Sequence, residues 1–425
     1  MNERTEKSAM TLYTEEEIRV NERLSIRNGN FATVGISIVS NFSALYVLSA
    51  LHANSQEVAL LNALPALMAI IATWIGAVWM SSLASKKNFC VRASVVARAF
   101  YFILAFIPFV IHGAILTLVV VLLIALMNFP QSFATLSWQS LIGDLIPEQR
   151  RARFFGLRNR LTTIVGMLST LIPGIILQLF PVTSIPPYQA FFTIAFLASI
   201  FEIYYLILHT ERQANRPKRR LAFVLTPGMF LAFFRKSVYR KFLIGALLFN
   251  LGWQMAWPLF NIYQIKDAGA TAIWVSLFTV ANQLSQILTF TLWGKISTRL
   301  GNSITFGIAC FGMAVSPVLT VLSTNLVYLV VLNLLTGMFV GGVTMLQFNH
   351  LLQVTSKAQR TAYIAHFNIL LGLVGFIAPE IGVLFLSLFH MDGAMGIASV
   401  VRAAGGFFFI FVVANVGRKA KAALT

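Results

Sequence analysis

Only four charged side chains of this 425-residue chain fall well inside its long apolar runs: Arg98, Glu202, Glu380 and Arg402. A charge in hydrocarbon is costly, so such groups face a protected interior, pair with one another or mark an ion path. Glu380 lies near the end of one run and Arg402 just after the next begins, so antiparallel helices would bring them to similar depth. Arg98 and Glu202 match less closely. Pairing would keep the acids ionised and structural, whereas an unpaired acid would become a proton carrier through desolvation.

Amides supply the other chemistry. Asn250, Gln254, Trp257, Asn261 and Gln264 follow steps of four and three, which places them on one stripe of a helix. Asn30, Thr33, Ser37 and Asn41 form a second stripe. Asn128, Gln131, Thr135 and Gln139 surround a kink expected at Pro130, and Thr279, Asn282, Gln283 and Gln286 follow in a later run. Such groups are candidates to line a solute path: Asn41, Asn128, Gln131, Gln139, Asn250, Gln254, Trp257, Asn261, Asn282 and Gln286. The competing role is adhesion between helices, worth about 0.6 kcal/mol per contact on average. Gly337 and Gly341 have the spacing of a close helix contact.

The elements that must hold these residues are membrane spans. The chain is 58% hydrophobic and 11% charged, against about a quarter charged in soluble domains. Twelve apolar runs, from 30–51 to 394–416, are each long enough to cross roughly 30 Å of hydrocarbon. The net charge of +18 would suggest nucleic acid in a soluble protein. Here the basic residues gather in alternate connections, with Lys266 on the other side, which is the positive-inside pattern and argues against nucleic-acid binding. Both termini are therefore expected in the cytoplasm and the protein in the cell membrane. Cys90 and Cys310 are too far apart in sequence to suggest a disulfide or metal framework, and no signal peptide is expected.

The connection at 210–240 carries eight basic residues, with Lys241 a ninth at its end, and divides the chain into a cytoplasmic segment 1–29, a six-helix bundle 30–209, this linker, a second bundle 241–416 and a tail 417–425. Thr226-Pro227 predicts the start of an amphipathic helix in the linker, with Met229, Phe230, Phe233 and Phe234 on one face. Thr14 followed by three glutamates predicts a capped short helix before the first span. The stretch from Trp138 to Arg160 returns 210 residues later: Leu141 falls on Leu351, Gln149-Arg150 on Gln359-Arg360 and Ala152 on Ala362. The halves read as a duplication.

Gly294 to Asn302, GKISTRLGN, resembles the G-x-x-x-D-R-x-G-R signature of the major facilitator superfamily. Gly294, Arg299 and Gly301 are in place, Thr298 stands at the acid and Asn302 at the last arginine. The corresponding loop of the first half retains Gly76 with Lys86 and Lys87, and Asp144, Pro147, Arg150 and Gly156 are similar to the family's loop between helices four and five. The resemblance implies an all-α integral membrane fold of twelve helices in two pseudo-symmetric six-helix bundles. It implies alternating access about a central cavity lined by helices one, four, seven and ten. Asp144, Arg150, Gly294, Arg299, Gly301 and Arg360 would then serve as a cytoplasmic gate, with Asp144 accepting beside Arg150 and Arg153.

The expected function is secondary transport of a small solute, coupled to a proton or other cation, by a monomer without a cofactor. No nucleotide-binding loop is present. The alternatives are proton-coupled multidrug efflux, against which the sparse Gly166, Pro173 and Gly174 of the fifth span speak, a non-transporting sensor or partner, and a membrane-embedded enzyme. The enzyme reading lacks convergent acid, histidine or HExxH groups.

Overall fold

The computed structural model describes residues 13–80, 85–212, 233–355 and 360–413. Among these, every regular element is helical. Ten helices precede the last one: α1 Glu15–Leu45, α2 Ser55–Met80, α3 Lys86–Phe106, α4 Ala114–Leu145, α5 Glu148–Leu177, α6 Pro186–Ile207, α7 Ser237–Ile262, α8 Ala272–Leu300, α9 Asn302–Val321 and α10 Leu326–Val354. The last, α11, is Arg360–Phe408. His390 interrupts it at φ 58°, so it consists of two helices joined at a sharp turn. Among the described residues, eleven segments are long and apolar enough to span a bilayer, and the division at His390 makes the last of them two passes. The expected amphipathic helix of the linker lies mainly outside the described residues.

The start of α1 follows its sequence. Glu17 N donates to Thr14 Oγ1 at 3.2 Å and Thr14 N donates back to the Glu17 carboxylate at 2.8 Å, a closed capping box. The helix does not stop before the first span, as the polar segment suggested. It continues through Asn21 and Asn28 because their side chains are spent outside the helix. Asn28 Nδ2 donates to the Glu202 carbonyl at 2.8 Å, and Asn21 exchanges bonds with the backbone of Thr210. The N-terminal segment and the first span are one rod.

Prolines occur within α2, α4, α5, α7, α9 and α11. Neighbouring helices make such breaks in the backbone ladder tolerable in a membrane protein. Gly301, at φ 83°, is the single residue between α8 and α9 and caps both. A side chain at that backbone angle would be strained, which explains this one glycine of the signature.

The chain divides into two compact units. One comprises Met1–His52 and Met68–Phe223, the other Ala53–Leu67 and Val224–Thr425. In the first, α1 packs on α5 and α6, and α3 on α4 and α6. In the second, α7 packs against α11, α8 against α10, and α9 against α10 and α11. Large apolar residues point outward in helical rows, such as Leu118, Leu122 and Leu126 on α4 and Leu284, Ile287 and Leu288 on α8. In water such surfaces would be an aggregation hazard; against lipid they are the expected exterior.

Candidate transport pathway and gate residues

In the first unit the polar residues converge on a buried ion pair. Arg98 on α3 and Glu202 on α6 meet as a two-pronged pair: Nε donates to one carboxylate oxygen at 2.7 Å and Nη2 to the other at 2.9 Å. Arg98 is 3% exposed and Glu202 5%, so little solvent screens them. Arg98 Nη1 also donates to Tyr101 Oη at 2.8 Å and to Gln131 Oε1 at 2.6 Å, which carries the network onto α4. Gln131 Nε2 donates in turn to Thr135 Oγ1. Two flat, fork-shaped groups meeting this way form one of the stronger charge-assisted contacts available to a protein. Tyr101 was not singled out in the sequence, although its position one helical turn after Arg98 places it on the same face.

The other candidates of this unit vary in what they touch. Asn41 Nδ2 donates to Thr170 Oγ1 at 2.9 Å, binding α1 to α5. Asn128 Nδ2 returns to the Ile124 carbonyl of its own helix at 2.7 Å. Gln139 is exposed.

In the second unit Asn250 is buried on α7 and donates to Gln347 Oε1 of α10 at 2.9 Å and to the Ala246 carbonyl at 2.7 Å. Gln254 packs against Gly375 of α11, where a Cβ would lie 2.6 Å from its amide oxygen. Trp257 is 51% exposed and Asn261 is half-buried. On α8, Gln286 Nε2 donates to Asn282 Oδ1 at 2.7 Å and Asn282 Nδ2 donates to the Asn333 carbonyl of α10 at 3.2 Å. Gly337 and Gly341 of α10 lie directly against Asn282 and Gln286. These two amides therefore also join α8 to α10.

The expected contact between Glu380 and Arg402 is not made. Arg402, 1% exposed, donates to the carbonyls of Gly252, Trp253 and Met313 and to Ser316 Oγ at 3.0–3.3 Å. Gly252 is the cause: a Cβ there would lie 2.8 Å from the Arg402 backbone nitrogen. The absent side chain lets α7 and the second limb of α11 approach until the guanidinium reaches helix carbonyls. Glu380 instead accepts from Gln56 Nε2 at 3.0 Å, while its other oxygen is enclosed without a hydrogen-bond partner among the described residues.

The gate residues are also wired differently from the expectation. Asp144 pairs with Lys86 Nζ at 2.5 Å, and Arg150 pairs with Glu15 at 2.6 Å and Glu22 at 3.1 Å. Arg150 turns to α1 because the unbroken helix presents two carboxylates, seven residues apart, on one face. Glu211, absent from the candidates, accepts from Ser85 Oγ, Lys86 N and Lys87 N at 2.6–3.1 Å and so caps α3. Gly294 has open space around it and Arg299 is exposed. The side chain of Arg360 lies outside the described residues.

The family model of the Major Facilitator Superfamily matches residues 29–281 and 242–424. The chain belongs to that superfamily. It is a multi-pass membrane transporter. Its fold is similar to that of a variant of the nucleoside transporter NupG, at 11% identity and a TM-score of 0.75, over 92% of this chain and 99% of that one. A D-xylose-proton symporter gives 13% identity and 0.70, over 93% and 98%. A bacterial homologue of the human lysosomal transporter Spinster gives 12% and 0.67, over 96% and 99%. No curated protein matches closely enough to be reported as a relative. At these identities the structural likeness of this superfamily member speaks for its fold.

Proposed function

We propose that the chain is a secondary transporter that moves a small, hydroxylated or otherwise hydrogen-bonding solute by alternating access, as a monomer in the cell membrane with both termini in the cytoplasm. The observation that carries the solute class is the α7 wall, where half-exposed Trp257 adjoins Gln254 and half-buried Asn261 on a helix anchored by buried Asn250. An aromatic face with neighbouring amides binds neutral solutes by stacking and hydrogen bonds. The names of two structural relatives, a nucleoside transporter and a D-xylose-proton symporter, support the same class.

A coupling proton, in this reading, uses Glu380. Glu202 is neutralised by Arg98, whereas among the described residues the Glu380 side chain accepts a hydrogen bond from a neutral amide. Thermal stabilisation of the purified protein by sugars, nucleosides, amino acids, organic anions and lipophilic drugs tests the solute class, since a ligand raises stability by RT ln(1 + [L]/Kd). A neutral-metabolite shift that disappears in Trp257→Ala supports the reading. A response to lipophilic drugs alone would replace it with efflux. Uptake that responds to a pH gradient equally in wild type and Glu380→Gln would remove Glu380 from coupling.

A further inference from the structure

A cavity of about 380 Å³ lies where α1 and the start of α5 run side by side within the first unit. Arg19, Arg23, Arg150 and Arg153 contribute to its wall, and Glu22 is the acid among its lining residues. The ion pairs divide these arginines into two kinds. Arg150 is committed to Glu15 and Glu22, and Arg19 approaches Glu15 at 4.0 Å. Arg23 and Arg153 are exposed, and neither takes part in an ion pair among the described residues. Counting Glu15 with Glu22, four guanidiniums face two carboxylates, and the charge left over sits on the two free forks.

The rest of the wall is apolar, from Phe154, which is buried, and Leu157, which is 50% exposed on the outward face of α5. The apolar part of that helix as a span begins at Arg153. The cavity therefore straddles the level at which the chain passes from hydrocarbon into the headgroup layer. Guanidiniums bind phosphate oxygens in pairs of parallel hydrogen bonds, and a basic pocket between helices at this depth takes an anionic headgroup.

We propose that this cavity is a binding site for the phosphodiester of an anionic phospholipid. Arg23 and Arg153 hold the phosphate oxygens, and the glycerol and upper acyl carbons lie along Leu157 and Phe154. The lipid completes the neutralisation that Glu15 and Glu22 begin, and so joins the N-terminal half of α1 to α5. Free phosphate would satisfy the arginines but leave the apolar wall without a partner.

The test compares phosphatidylglycerol, phosphatidylcholine and inorganic phosphate on the full-length protein, by native mass spectrometry of retained lipid and by thermal stability. Phosphatidylglycerol should be retained and stabilising, with an affinity at least tenfold above that of phosphatidylcholine, and millimolar phosphate should do little. In Arg23→Gln/Arg153→Gln that preference should fall at least tenfold, while the Arg150 ion pairs remain. Equal retention of the two lipids, or a double variant with undiminished preference, overturns the proposal. Phosphate acting as strongly as phosphatidylglycerol overturns it too, by showing a soluble-anion site. Should the double variant fold poorly, Arg153→Lys serves: it keeps the charge but loses the fork, and unchanged affinity there would refute the pairing geometry.

Discussion

Replacing Glu202 by alanine should be among the most destabilising single changes in the first unit. The substitution removes both carboxylate oxygens that accept from Arg98, at 2.7 and 2.9 Å, and leaves the guanidinium with Tyr101 and Gln131 as its remaining partners. Both partners are neutral, and Arg98 is 3% exposed, so its charge has no nearby compensation. Breaking a buried pair from one side costs about 3–5 kcal/mol, and replacing both members by apolar residues of similar size costs far less. At roughly 2–4 °C per kcal/mol for a unit of this size, Glu202→Ala should lower the unfolding midpoint by about 6–20 °C. The assay is a double-mutant cycle on thermal unfolding in detergent with Glu202→Met, Arg98→Met and both together. The double variant should be more stable than Glu202→Met alone, with a coupling of about 2 kcal/mol or more. Additive losses would refute the claim that these two charges compensate each other.

Burial holds His209, just beyond α6, at a pKa of about 4 in place of 6.5, against its own bonds to the Tyr205 and Leu206 carbonyls. Its unfolded form takes a proton first, so stability should be full above about pH 6.5 and decline toward pH 4, by up to about 3 kcal/mol; a pH series on wild type and His209→Gln, which should lose this slope, checks it. Glu211→Ala removes the acceptor of two backbone N–H groups and a hydroxyl at the start of α3, and should cost about 1–2 kcal/mol by chemical or thermal unfolding. Gly337→Ala would drive a methyl group onto the Asn282 backbone. It should destabilise by about 1–3 kcal/mol or separate α8 from α10, seen as lower folded yield and a lower midpoint, whereas Gly294→Ala, with open space around it, should be silent in the same measurements.

The spans were legible because two requirements of the bilayer, length and apolarity, leave a mark in composition. Residues that act along one helix were legible too. Thr14 with Glu17 depends only on a spacing of three. What escaped was every choice among partners on different helices. Asp144 had Arg150 and Arg153 close in sequence, yet it meets Lys86, because α5 directs Arg150 toward the two glutamates of an α1 that does not break. Glu211 lies in a basic connection where an acid reads as incidental, and its role depends on the start of α3 being beside it.

The two membrane-embedded pairs show the same limit most sharply. Depth along antiparallel helices suggested Glu380 with Arg402 more strongly than Arg98 with Glu202, and the structure reverses that order. Depth fixes only one coordinate; rotation about each helix and the distance between axes are the other two. For Arg402 both are set by Gly252 on α7, a residue with no chemistry of its own. The close approach it permits offers three carbonyls and a hydroxyl to the guanidinium. A cation in lipid can thus be satisfied by backbone dipoles instead of a counter-charge. The two carboxylates accordingly end with different partners: Glu202 is held by a guanidinium, and Glu380, among the described residues, by the Gln56 amide.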